Sequence, residues 1–366
     1  MSLSPLDDFP VHQIAEPIRR TGTSDRNFYD RYYFNCHPSS DELFLVTGMG
    51  QYPNLGVQDA FAVVQHDGVH RVVRASRELG ADRADTSVGP FRVEVLEGLR
   101  RLRVVLESND WGLDFDLTWE GAIPATEEPR HFIRRRERVL FDTCRLAQTG
   151  RWTGAVRIDG HEIAVTPDRW WGSRDRSWGV RPVGEAEPAG IHAADEPQFW
   201  WLYAPMQFDD FSVLVICQEE PDGRRIVEEA VRVWSFESGG RAESLGRVEH
   251  DLEFEPGTRT PRRATFSFPD AGWSVTAEPV LPLHVGVGTG YGLDADWRHG
   301  MWQGPLKVEG LSLRLDVPED AARLWGIVDS VARFETSDGV VGHGLFEYLF
   351  LGPHDRYGWK TFDDAP

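Results

Sequence analysis

The chain has 366 residues, and its 59 Asp and Glu outnumber its 39 Lys and Arg, for a formal net charge of −20. Such a chain is repelled by phosphate backbones and anionic membrane surfaces, which argues against nucleic acid and membrane partners. The three cysteines, Cys36, Cys144 and Cys217, are widely spaced with no CxxC, which argues against a disulfide framework or a structural zinc site.

The first ten residues, MSLSPLDDFP, hold acids where a secretory signal needs bases and an apolar run, so a cytoplasmic location is expected. At 32–48, YYFNCHPSSDELFLVTG reads as an aromatic strand, a turn and an aliphatic strand. GQYPNLGVQDAF follows, where Tyr52, Asn54, Gln58 and Asp59 suit a pocket mouth or an ordinary hairpin loop. Alternation of apolar and polar residues predicts half-buried strands at 92–98, 101–108, 113–121 and 311–318. Arg134, Arg135 and Arg136 read as a solvated charged strand or turn. Runs rich in Gly, Pro, Asp and Asn separate these segments, and helical periodicity is scarce. DAARLWG at 320–326 allows one helical turn or a loop. The longest strongly apolar runs, such as FSVLVIC at 211–217, are too short to span a bilayer as a helix.

The chain also repeats itself. WWLYAPMQFDDFSVLVI at 200–216 has the outline of 32–48, shifted by 168 residues. GRWTGAVRIDG at 150–160 returns as GMWQGPLKVEG at 300–310. GSRDRSWGVR at 172–181 has an acidic, basic, aromatic and Gly counterpart in GPHDRYGW at 352–359. The chain is therefore expected to be all-β, with two tandem lipocalin-like antiparallel β-barrel or sandwich domains spanning 1–184 and 185–366. The Pro-, Gly- and acid-rich stretch 183–197 would link them.

Two stretches carry the strongest chemical signal. Asp175 sits among Trp170, Trp171 and Trp178. A carboxyl among rings loses hydration, its pKa rises, and it becomes a candidate proton donor. Pairing with Arg174, Arg176 or Arg181 would do the opposite. GYGLDADWRHGMWQG offers Asp296 as a second donor, His299 as a general acid or base, and Tyr291 and Trp302 as substrate contacts. The preceding VGVGTGYG is no nucleotide fingerprint, because no strand–helix unit surrounds it. In GHGLFEYLF, alternation puts His343, Leu345 and Glu347 on one face, suited to a proton relay, and two ligands alone do not make a metal site.

The tandem arrangement, closed in its first half by Asp175-Arg176-Ser177-Trp178-Gly179, resembles the AttH-like, lipocalin-type two-domain superfamily. That group includes carotenoid 1,2-hydratases, kievitone-type hydratases and Diels–Alderase-like cyclases. Its hallmark is a DHSWG-type segment, and Arg176 stands here where His is usual. The resemblance implies a pocket for a large apolar, terpenoid-like substrate and chemistry without a redox cofactor. The expected activity is hydration, dehydration or cyclisation by carbocation-type acid–base chemistry. Asp175 or Asp296 would be the donor and His299 would handle water. Trp171, Trp178 and Trp302 would shield the cation, with Tyr52, Asp59 and Tyr291 as further substrate contacts. A non-catalytic carrier of hydrophobic ligands would need the same pocket and no acid, and a homodimer is compatible with either reading.

Overall fold

The computed structural model describes residues 3–135, 137–183, 198–292, 294–362 and 364–365. The linker expected at 183–197 lies, from 184 onward, outside the described residues, as does Arg136.

The described chain is nearly all β, built on two antiparallel sheets. The first runs, edge to edge, through Leu306–Arg314, Val69–Glu78, Val57–His66, Leu43–Tyr52, Phe28–Cys36, Trp171–Val180, Arg138–Ile158, Leu113–Gly121, Arg101–Leu106, Phe91–Glu97 and Ser87–Val88. Its edges curl toward each other: Arg77 Nε donates to the Ser87 carbonyl at 2.6 Å, nearly closing a barrel. The second runs through Ala242–Ser244, Arg225–Trp234, Phe211–Glu219, Phe199–Gln207, Val341–Leu351, Val328–Thr336, Trp273–Leu283, Pro261–Phe268 and Glu249–Phe254. In both sheets the first long strand lies between the second and the last strand of its own half of the chain, so the two share one order of pairing. These are two lipocalin-like β-domains.

Their packing explains the composition of the central strands. Each is covered on both faces, so alternation of apolar and polar residues gives way to a continuous apolar run. In Leu43–Tyr52, Leu43 and Leu45 point into the first barrel, while Phe44 and Val46 point toward the second sheet. In Phe211–Glu219, Val213, Val215 and Cys217 fill the second barrel, while Leu214 and Ile216 face the first sheet. The sheets therefore pack back to back through a shared core, each buried Leu, Ile, Val or Phe contributing about 1.5–3 kcal/mol.

Two features depart from the sequence reading. Leu306–Arg314 belongs to the second half of the chain yet pairs with Val69–Glu78 in the first sheet. The GxWxG segments are also not equivalent. Residues 150–154 lie within the long strand Arg138–Ile158, where Trp152 is buried and its Nε1 donates to the Asn35 carbonyl at 2.8 Å. Residues 300–304 lie in the loop entering Leu306–Arg314, with Trp302 53% exposed. The segment GPHDRYGW likewise follows Val341–Leu351 and is not part of it. Only the 32–48 and 200–216 pair marks equivalent strands.

Candidate functional site

The same alternation that fills the barrels aims a second set of side chains at the junction. On Phe28–Cys36, Phe34 and Cys36 point inward, which leaves Tyr29, Arg31 and Tyr33 on the face toward the second sheet. Register extends this face across neighbouring strands. Tyr33, Asp175 and Ala147 form one row, and Arg31, Ser177 and Arg145 the next. On the second sheet, Tyr203, Glu347 and Asp329 form the facing row. Between the sheets lies a cavity of about 600 Å³, lined by residues that include Arg31, Arg145, Asp175, Trp201, Tyr291 and Glu347. That volume is in the range of small-molecule sites.

Burial pushes the Asp175 carboxyl up to about 6, against the pull of Arg145. The arginines flanking it in sequence are engaged elsewhere. Arg174 Nε donates to Gln148 at 2.8 Å, Arg176 pairs with Asp30, and Arg181 lies over the Tyr29 ring. Burial also raises Glu347 above the usual carboxylate range, and Trp201 Nε1 donates to its Oε1 at 2.5 Å. Asp329, its cross-strand neighbour, is fully buried and raised further, by burial and then by Glu347. Two adjacent carboxyls out of water cannot both ionise cheaply, so this pair holds a proton.

His299 lines the cavity, but as a support. Arg31 Nη2 donates to His299 Nε2 at 3.0 Å, which places the ring proton on Nδ1. Nδ1 lies 3.5 Å from Asp59 Oδ2, and that oxygen accepts from the Gly300 N–H at 2.8 Å. Tyr52 donates to the other Asp59 oxygen at 3.2 Å. Burial, reinforced by Arg31, lowers the His299 pKa to about 4, so the ring is neutral. The glycine run before it now has a purpose. Gly290 has φ of 107° and sits so close that an added Cβ would lie 2.9 Å from His299 Nδ1.

The sequence-predicted residues thus divide. Asp175, Tyr291 and His299 meet in the cavity. Tyr52 and Asp59 are buried behind His299 and do not line it. Asp296 is exposed on the connecting loop, away from the cavity lining. Trp302 is exposed there too, and Trp178 points from the opposite face of its strand and is 39% exposed. Trp171 shares the face of Asp175 but lies four residues along the strand, about 13 Å away, with its ring beside His343. The cavity's rings are instead those of Tyr29, Tyr33, Phe141, Phe199, Trp201 and Tyr291. Sequence reasoning missed Arg31, Arg145, Glu128 and Asp329. The available signal was a charge on the apolar face of a strand, as with Asp329 beside Val331 in IVDSVARF.

A second polar cluster is buried in the second barrel. Glu219 accepts from His250 Nε2 at 2.8 Å and His354 Nε2 at 2.6 Å, and it pairs with Arg225. Cys217, Glu219 and His250 have metal-like spacing, but the Arg225 guanidinium lies against both Glu219 and Cys217 and supplies the positive charge. Among the described residues, no helix is long and apolar enough to cross a membrane.

Kievitone hydratase from Nectria haematococca has a similar structure, with 13% identity and a TM-score of 0.54 over 90% of this chain and 93% of that one. CghA, alone and with Sch210972, aligns at 12% identity and a TM-score of 0.47, over 89% of each chain. At 13% identity the likeness to kievitone hydratase is one of fold. No curated protein sequence matches the chain. A family model does match, over residues 3–360, and the chain belongs to that family of unknown function, DUF8625.

Proposed function

We propose that the chain is an acid–base enzyme that adds water to, removes water from, or closes a ring in a large substrate with an apolar skeleton. The observation that carries this reading is the placement of Asp175 and Glu347. They stand on facing sheets, both open onto the one cavity and both have raised pKa values. A carboxyl with a pKa of about 6 is protonated often enough near neutrality to be a competent donor. In the hydration direction, Asp175 gives its proton to the substrate as water adds. The proton of the Asp329–Glu347 pair rests on Asp329, the more strongly raised of the two, which leaves Glu347 as the carboxylate that takes the proton the water loses. Dehydration runs the same steps in reverse. For cyclisation the cavity walls hold the chain folded while the proton moves.

The AttH-like resemblance suggests a terpenoid-like substrate and a carbocation. The aromatic walls suit such a skeleton. The cation is less well served, because guanidiniums already lie over the cavity's rings. Arg31 is 5.0 Å from the Tyr291 centroid, and Arg145 is 5.4 Å from that of Trp201. A second positive charge about 5 Å from either would be opposed by roughly 3 kcal/mol at an effective dielectric of 20.

The test is incubation with a lipophilic metabolite extract in ¹⁸O-water, followed by mass spectrometry. The wild type should yield a product differing from its substrate by one labelled water, or an isomer. Asp175→Asn should abolish the product while leaving binding intact. Turnover unaffected by both Asp175→Asn and Glu347→Gln would overturn the proposal. Binding without conversion would leave a carrier.

A further inference from the structure

We infer that the substrate carries an anionic oxygen on its apolar skeleton, and that Arg31 and Arg145 receive it above Ser177. This deepens the proposed function and rests on the cavity being the substrate site. Arg31 and Arg145 occupy strands on either side of Ser177, in one cross-strand row. Both line the cavity. Arg31 Nε and Arg145 Nη2 are buried, with no hydrogen-bond partner among the described residues. An unmade hydrogen bond of this kind costs about 1–3 kcal/mol, so the two N–H groups are waiting donors.

Each guanidinium is held through one other nitrogen, Nη2 in Arg31 and Nε in Arg145. Arg31 is fixed through His299, Asp59 and the Gly300 N–H. Arg145 is fixed by Glu128, itself buried. Alternate strands stand about 9–10 Å apart, a gap that two arginine side chains reaching inward can narrow around one group of oxygens. Arginine also presents its donors in a rigid fork that matches carboxylate-like oxygens. The same preorganised pair would stabilise negative charge developing on a substrate oxygen, which replaces a bare carbocation as the charge this site favours.

A matched pair of dyes separates charge from shape. 1-Anilinonaphthalene-8-sulfonate is anionic, and N-phenyl-1-naphthylamine has the same rings without the sulfonate. Titrated at low salt, the wild type should bind the anionic dye about tenfold or more tightly than the neutral one, the effect of one or two charge-assisted hydrogen bonds. Arg31→Gln and Arg145→Gln should each remove that preference and leave the neutral dye within about twofold, and Arg31→Lys should restore part of it. Ser177→Trp, which fills the cavity floor, should weaken both dyes. Equal affinities that both fall in Ser177→Trp overturn the anion inference and leave the cavity reading standing. A preference that survives both Gln variants also overturns it. Dye binding untouched by Ser177→Trp overturns the cavity reading as well.

Discussion

The Tyr33 hydroxyl donates to Asp329 Oδ2 at 2.5 Å, crossing from the first sheet to the second at the edge of the cavity. Both residues are buried, and the other partner of Asp329 is Glu347, with which it shares a proton. Tyr33→Phe should therefore cost about 1–3 kcal/mol in chemical denaturation, the penalty for a buried acceptor left unserved. It should also lower activity, because the freed Asp329 shifts the proton it shares with Glu347. Unchanged stability would mean that the sheets are held by their apolar core alone.

Asp175 should make the fold less stable at neutral pH than at acid pH. Its folded-state pKa is about 6, against about 3.9 for an Asp in an unfolded chain, so the folded chain takes up a proton between these values. Stability then falls as pH rises through that window, and the full cost is present above it. Asp175→Asn removes this cost. The variant should exceed the wild type by about 1–3 kcal/mol at pH 7.5, the cost of keeping that carboxylate ionised in the fold, with allowance for partial solvent access. At pH 4 the two should converge. Comparing them at the same pH cancels the opposite effect of buried histidines such as His37 and His299, whose lowered pKa values destabilise the fold as pH falls below 6.5. A difference that does not change with pH would place Asp175 in water.

His299 should behave as a positioning residue. Its Nε2 already accepts from Arg31 and its pKa is about 4, so it is a poor base for the substrate. His299→Gln keeps an acceptor for Arg31 and should retain most of the anionic-dye preference, whereas His299→Ala should lose several-fold. Neither should move the pH profile of activity near 6. A shift of that limb in His299→Gln would restore the histidine to a direct proton-transfer role.

The legible part of the site was the part written locally. RDRSWG exposed Asp175 because three rings and an acid fall within nine residues, and alternation in GHGLFEYLF put Glu347 on a definite face. Arg31, Arg145 and Asp329 were hidden because their faces acquire meaning only when two sheets are set back to back and registered. Asp296 and Trp302 share a stretch with His299, but the loop that turns His299 inward leaves both of them exposed, and the 150-residue echo of GxWxG is not one of equivalent strands. The equivalent strands are 168 residues apart, and the second echo falls where the chain leaves its own sheet to join the other.

The two tryptophans of that echo give a direct contrast. Trp152 is buried against Trp119 and Phe34 in the first barrel, with its indole N–H bonded. Trp152→Ala should cost about 3–5 kcal/mol. Trp302→Ala, at an exposed loop position, should stay within about 0.5 kcal/mol and leave dye binding unchanged. A large loss on changing Trp302 would reveal a partner surface there.

Glu219 anchors the second barrel. Burial holds His250 at about 2 and His354 at about 4, so both rings are neutral and can donate through Nε2 to one carboxylate. Arg225 compensates the charge, and Trp200 stacks on both rings, 4.5 Å from His250 and 4.8 Å from His354 between centroids. Glu219→Gln keeps the shape but takes the nearer counter-charge from a buried guanidinium, leaving only Glu228, 3.5 Å from Arg225 Nε. The expected loss is about 3–5 kcal/mol, read by denaturant titration. Arg225→Met with Glu219→Gln should recover part of it, since the uncompensated charge is then gone. Prolonged dialysis against EDTA separates this ionic plug from a metal centre built on Cys217, Glu219 and His250. The melting temperature should not move if Arg225 is the cation, and a fall reversed by a divalent metal would assign the cluster to metal binding.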